Sequence, residues 1–293
     1  STLTIDAGVT VLFAMSDTSD KYRLKVTSGG ILNIDGTSVN PVVLTSASAS
    51  PASGDWEMIH INDNGVLDAS YCKLSYSNYG IIGSNNWTDS SVSVSNCTFE
   101  HITDKHISYS WGSGSFVLDS NVFNRVVNVD SDVSHLYFGH LHNGASVTIT
   151  NNEFNRTRIY IYAYDAGVDY LIDGNEMTGD MEEQPEVRGR AIEISSQSPS
   201  STYTVQNNVI RNYEHGIRLG TYALYAVVKD NLLEGNSGAQ IWVVNNDVNV
   251  SDANQGEITG NTIRHNSDTN VGGWYGIKFE GKYSNRTVFN GNS

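Results

Sequence analysis

One eight-residue pattern recurs along the chain and limits its fold more than any other feature. The segments VSVSNCTF, FVLDSNVF, VTITNNEF, YLIDGNEM, YTVQNNVI, AVVKDNLL and GEITGNTI share a template: apolar or small, any residue, apolar, two polar or small residues, Asn or Cys, any residue, apolar. LDASYCKL precedes them and TVFNGNS begins another. The anchor falls at Cys72, Cys97, Asn121, Asn152, Asn175, Asn208, Asn231, Asn261 and Asn292, with spacings of 25, 24, 31, 23, 33, 23, 30 and 31 residues. A fixed motif with a floor of 23 residues and elastic excess describes a coil of three short strands with variable turns inserted on its outside. Successive coils then stack at the strand separation of about 4.8 Å.

Equivalent positions in such a stack lie above one another. The anchor Asn residues are therefore expected as an inward column, each amide bonding the next and satisfying turn backbone. Cys72 and Cys97 share that column. Parallel strands point both side chains the same way, so reduced, buried thiols are expected, with a disulfide as the alternative. Further along each coil, YGIIGS, KHISYS, HLYFGH, RIYIYA, RAIEIS, HGIRLG, AQIWVV and GIKFEG alternate. Ile81, Ile107, Leu136, Ile159, Ile192, Ile217, Ile241 and Ile277 thus form a second apolar stack that closes the chain round a dry core. With 27 Gly against four Pro and no long 3.6-residue period, helix should be scarce. The expectation is one all-β domain over residues 1–293, with less regular coils in 1–65, regular coils in 66–293, and about eleven to twelve coils in all.

The segments LTIDAGVTVLF, LKVTSGGILNIDGTSVNPVVLTS and GDWEMIHI resemble the opening coils of secreted right-handed parallel β-helix proteins of the pectate-lyase-like superfamily. There an L-x-I-x-x-G-V motif is followed by a G-x-L-x-x-x-G-T turn and a W-x-x-I strand. Together with the Asn column, the resemblance extends over nearly the whole chain. It implies a right-handed parallel β-helix, an extracellular or cell-surface location, and a scaffold that hosts lyases, hydrolases, epimerases, adhesins and phage proteins. A solenoid needs a polar cover over its terminal coils and neither end carries one, so further domains of a longer chain are expected.

A net charge of −15 disfavours nucleic acid or an anionic membrane surface as partner, because both require a cationic face. No apolar run approaches the length of a membrane span. Two Cys are too few for a disulfide scaffold, and no C-x-x-C pair suggests structural zinc.

The outward face carries the functional signal. With Ile159 and Ile161 inward, the residues after the first inward Ile or Leu of each coil point out: Ile82, Ser108, Tyr137, Tyr160, Glu193, Arg218, Trp242 and Lys278. Tyr162 and Glu280 flank this column on one side, and His106 and His135 on the other. Solubility needs only Ser, Thr or Asn there. Aromatic rings suit the apolar faces of sugars and charged side chains suit their hydroxyls and carboxylates, so the column reads as a polysaccharide groove, with Arg158 and Arg190 beside it. Superfamily members commonly bind polysaccharide along this sheet. The plainer account is an exposed Glu193–Arg218 ion pair worth at most about 1 kcal/mol. Six of the 17 basic residues are Arg between Arg156 and Arg218, a local supply of bidentate donors for uronate or sulfate.

The turn EMTGDMEEQPEVRGR is placed to overhang Glu193. Its Asp180, Glu182 and Glu183 are carboxylates of the kind Ca²⁺ takes, but no ordered spacing such as D-x-D-x-D-G is present, and a solvated acidic loop is the simpler reading. His140 and His142 share a strand face without an identifiable third ligand.

Two chemistries fit this column. A polysaccharide lyase needs a neutraliser of the uronate carboxylate, here Arg218 or Ca²⁺, and a base and acid, here from Lys278, His135 or Tyr160. In chondroitinase-B-like and alginate-lyase-like members, a Lys base and an Arg acid lie on neighbouring coils, whereas Lys278 and Arg218 are two coils apart. A glycosidase needs two carboxyl groups, with Glu193 as one and Asp165 or an acidic-loop residue as the other. The N-T-D, D-D, G-H-G and R-I-K set of polygalacturonase-like members is missing. Equally open is a non-catalytic surface or adhesive solenoid that binds glycans without cutting them. Ice binding is excluded, since the outward column on the Asn-side strand reads Ser93, Val117, Thr148, Leu171, Thr204, Val227, Glu257 rather than a Thr array.

Overall fold

The computed structural model describes residues 1–14, 22–125, 136–164, 167–180, 189–198, 200–221, 223, 226–245, 256–265, 274–281 and 288–293. Among these, 31 strands and no α-helix follow one another, each coil laying one strand into each of three sheets. The first sheet has eleven strands, from Thr2–Asp6 to Val288–Asn290, and the second and third have ten each. The eleven rungs of the first sheet match the lower end of the expected count. All pairings between rungs are parallel, as a chain that winds in one direction requires.

The anchor template becomes a corner in the structure. The residue before each anchor, Tyr71, Asn96, Ser120, Asn151, Gly174, Asn207, Asp230, Gly260 or Gly291, has φ between 46° and 66° and turns the chain from the first sheet into the second. Gly, Asn and Asp are tolerated there because they enter the left-handed region at low cost. The anchor then repairs the hydrogen bonding that the turn interrupts. Asn152 Oδ1 accepts from the backbone N–H of Asn121 at 2.9 Å and from its side-chain amide at 3.0 Å. Asn152 Nδ2 donates to the carbonyl of Leu118 at 2.9 Å and to Asn175 Oδ1 at 3.0 Å. The same set repeats through Asn175, Asn208, Asn231, Asn261 and Asn292.

Sulfur takes over at the earlier rungs. Cys72 and Cys97 are free and buried, and the Cys72 N–H donates to Cys97 Sγ at 3.1 Å. The hydrogen bond with Cys97, together with burial, pushes the Cys72 thiol well above its ordinary pKa. These are the reduced thiols that the parallel geometry favours.

The first-to-second corner keeps a constant length from Cys97 onward, whereas both corners bordering the third sheet vary. Thr178 and Arg190 are separated by a long turn, while Asn155 and Ile159 are nearly adjacent. Variable turns therefore flank the third sheet on both sides. Inside, Phe99, Phe123 and Phe154 stack at centroid distances of 5.0 Å. The expected apolar stack of the third sheet is in register from Ile81 to Ile277.

His106 corrects one expectation. It does not flank the outward face but is fully buried, edge-on to Phe99 and Phe123, with Nε2 3.0 Å from the Asn124 carbonyl. The residue preceding the strand Ile107–Gly112 still belongs to the corner, so the alternating phase does not extend to it. Burial pushes its imidazole down to about 4 from 6.5.

Two predictions follow from this packing. Asn175→Ala removes the acceptor for two Asn152 donors and strands the Ile149 carbonyl, so a loss of about 3 kcal/mol is expected in urea unfolding. The unfolded chain binds a proton at His106 that the folded chain refuses, so stability falls as pH drops below about 6.5 and levels off near 4. The His106 share of the drop is on the order of 3 kcal/mol, and His106→Gln should make that part of a stability-against-pH curve shallower by about this amount, leaving the share of His215, whose pKa is also pushed down to about 4.

Candidate functional site

The outward column is in register across the third sheet: Lys25, His60, Ile82, Ser108, Tyr137, Tyr160, Glu193, Arg218, Trp242 and Lys278 face the same way on ten successive rungs. Beside it, Gly139, Tyr162, Ser195, Gly220, Val244 and Glu280 form the next outward column. Its small members give the long side chains room to lie down on the sheet. A Cβ on Gly139 would collide with the Tyr137 phenol, and one on Gly220 would come within 3.3 Å of Arg218 Nη1.

Glu193 faces outward yet is only 8% exposed. Its two oxygens are taken by two arginines: Oε2 by Arg190 Nη1 at 2.6 Å and Oε1 by Arg218 Nη1 at 2.8 Å. The pair is therefore part of a triad with a buried carboxylate and half-buried guanidinium groups rather than the solvent-exposed bridge that the sequence suggests. Arg218 also reaches Ser195 Oγ at 3.4 Å. Burial lowers the Arg218 pKa, an effect that the neighbouring Glu193 charge opposes.

The Trp242 indole is the hub of this region. Arg190, Arg218 and Lys278 lie 5.6, 5.2 and 5.0 Å from its ring, a threefold cation–π arrangement. Lys278 also lies over Tyr275 at 5.2 Å and pairs with Glu280 at 2.5 Å. That hydrogen bond holds the Glu280 carboxyl below its usual range. His215 closes the group 4.8 Å from the indole, with Nδ1 accepting the Ala239 N–H at 2.9 Å. Burial, then the charges of Arg190 and Lys278, push its pKa down to about 4, so the ring is neutral with its proton on Nε2.

Toward earlier coils the column becomes aromatic. Tyr137 and Tyr160 are 5.7 Å apart, and Tyr160 and Tyr162 6.5 Å apart. Burial, reinforced by Glu193, raises the Tyr160 pKa, and burial raises that of Tyr137. Tyr162 Oη accepts from Gln197 Nε2 at 2.7 Å.

Other sequence candidates lie elsewhere. Arg158 stands with Arg125 and Arg156 at the corner between the second and third sheets, where Arg156 pairs with Asp180 at 2.7 Å. His140 is a turn residue stacked on Trp111 rather than a strand ligand facing a partner histidine. Among the described residues no group of three or more His, Cys, Asp or Glu is arranged to hold a metal ion. Asp165, His135, Glu182 and Glu183 lie outside the described residues. Sequence reading missed His215 and Tyr275, which lie three residues before the outward Arg218 and Lys278 and so on the opposite parity, where alternation along the strand does not reveal them.

The second sheet provides a contrast. Its outward charges alternate as Glu176, Arg211, Glu234 and Arg264, with contacts of 3.0, 3.1 and 4.0 Å. That is an exposed ion ladder of small energetic weight, with no aromatic ring at its centre.

Residues 139–293 match the family described as a right-handed β-helix region, and residues 1–101 match the pectate-lyase-like β-helix domain. No curated protein matches the chain. Among solved structures, the catalytic unit of a thermostable GH87 α-1,3-glucanase from Streptomyces thermodiastaticus strain HF3-3 is similar at 12% identity and a TM-score of 0.27. The alignment covers 100% of this chain and 63% of that one.

Removing the central carboxylate leaves two arginines facing each other. Glu193→Ala is expected to lower stability by about 2 to 4 kcal/mol in urea unfolding, with much of the loss recovered when Arg190 and Arg218 are also changed to Met.

Proposed function

Since this chain belongs to the right-handed β-helix family, we propose that the outward face of its third sheet is an extracellular polysaccharide-recognition surface. The observation that carries this reading is the unbroken run of Tyr137, Tyr160, Glu193, Arg218, Trp242 and Lys278 on six rungs, with three cations round one indole. Five rung spacings make a strip about 24 Å long. Rings offer stacking area and the cations offer donors to carboxylate or hydroxyl groups, so an acidic polysaccharide is the ligand class favoured at the Trp242 end.

Recognition is favoured over hydrolysis led by Glu193. A general acid must hold a proton and a nucleophile must present a free oxygen, but both Glu193 oxygens are engaged by guanidinium groups. Its role is to hold Arg190 and Arg218 at the indole. Lys278 is likewise engaged by Glu280, which disfavours it as a base.

Calorimetric titration with hexagalacturonate checks the proposal. Binding should weaken with added salt and by about tenfold in Trp242→Ala. Absence of binding to every uronic and neutral glycan in a panel would sink it. Incubation with the same panel, read by absorbance of unsaturated products and by reducing ends, separates recognition from cleavage. Unsaturated product that disappears in Arg218→Ala would assign lyase chemistry to the site instead.

A further inference from the structure

A second group of rings occupies the corner where the third sheet turns back toward the first. Trp111 and His140 directly follow the paired residues Ser110 and Gly139, so they hold equivalent places on successive rungs. Their rings are 4.1 Å apart and 2° from parallel. Tyr162 and Tyr164 meet the His140 ring at 5.1 and 5.3 Å. The outer members are open, with Trp111 44% and Tyr164 51% exposed.

Local sequence does not favour a tryptophan at this place. Trp111 has φ 65°, a conformation that disfavours side chains other than those of Gly, Asn and Asp by about 1–2 kcal/mol. The register with the preceding rung shifts between Ser110 and Gly112. Gly112 cannot carry a side chain, because the Tyr109 ring fills the space beneath it. A bulge and a buried ring together turn the indole outward.

Stacking between rungs is not by itself a sign of a ligand. Tyr76 and His101 stack at 4.7 Å, both with positive φ, on another corner. The Trp111 group differs in continuing through Tyr162 to Tyr160 and Tyr137 on the outward face. It also differs from the Trp242 group. Among the described residues no cation–π contact falls on Trp111, Tyr162 or Tyr164, whereas Trp242 has three.

We propose that this corner is a subsite for uncharged pyranose units, one with its apolar face on the open side of the Trp111 ring and the next against the exposed Tyr164 ring beyond His140. The inference rests on the reading of the third sheet as a glycan-binding face and gives its two ends different chemistry. An uncharged sugar sits at the Trp111 end and an acidic one at the Trp242 end, five rungs or about 24 Å away. The ligand is then a polysaccharide that contains both kinds of residue.

Each end has its own indole reporter. In protein with ¹⁵N-labelled tryptophan, the indole N–H signals of Trp111 and Trp242 are assigned with Trp111→Phe and Trp242→Phe, and cellohexaose, laminarihexaose, maltohexaose and hexagalacturonate are titrated in turn. At least one neutral hexaose should shift the Trp111 signal saturably, and Tyr164→Ala should raise the apparent Kd about tenfold. A Trp111 signal unmoved by all three neutral probes, or moved by hexagalacturonate alone, overturns the subsite; so does an unchanged Kd in Tyr164→Ala. Movement of Trp242 with hexagalacturonate while Trp111 stays silent refutes the corner and leaves the acidic-ligand reading standing. The reverse pattern sinks the acidic-ligand reading and supports the corner.

Discussion

Everything in this molecule depends on one side-chain amide being repeated in register. A turn from the first sheet into the second leaves backbone groups without partners in the interior, and a buried group left so costs about 1–3 kcal/mol. An Asn immediately after the turn meets that need twice, accepting from the coil before and donating to strand carbonyls and the next anchor. Because the solution recurs on successive rungs from Asn121 to Asn292, the third-sheet strands there are also fixed in register. The outward column inherits its order from the inward one.

That inheritance explains why the fold was legible in the sequence. The anchors mark the corner, the Ile and Leu positions mark the third sheet, and the phase between them puts Glu193 opposite Tyr160 and Arg218. Contacts made off the strand axis were not legible. Arg190 reaches Glu193 because the chain enters that strand from a corner, and nothing in the local spelling RGRAIEIS indicates that the carboxylate is shared. Nor does alternation reveal Trp111, which sits where alternation stops and φ changes sign. His106 misled for the same reason: one residue before a strand, it belongs to the corner and turns inward.

Charge on this surface is used in two ways. On the second sheet, opposite charges alternate in water and neutralise each other pairwise. On the third, a sealed carboxylate gathers two guanidinium groups against an indole, and a third cation completes the ring of contacts. A strongly acidic chain thereby keeps a small cationic surface where its net charge alone would forbid one. The variable corners border this sheet, so loop length can change around the strip without disturbing the anchors.

The amide column also has a direction. Every anchor Oδ1 accepts from the coil before it, so each anchor's own N–H is met only when the following coil arrives. Completion runs one way, from earlier coils to later, which is the order in which a ribosome releases them. A coil once laid down presents a pair of waiting donors in fixed positions, and the next coil has a template before any of its own apolar residues are covered. Winding and synthesis thus share one polarity, written into the orientation of a single functional group.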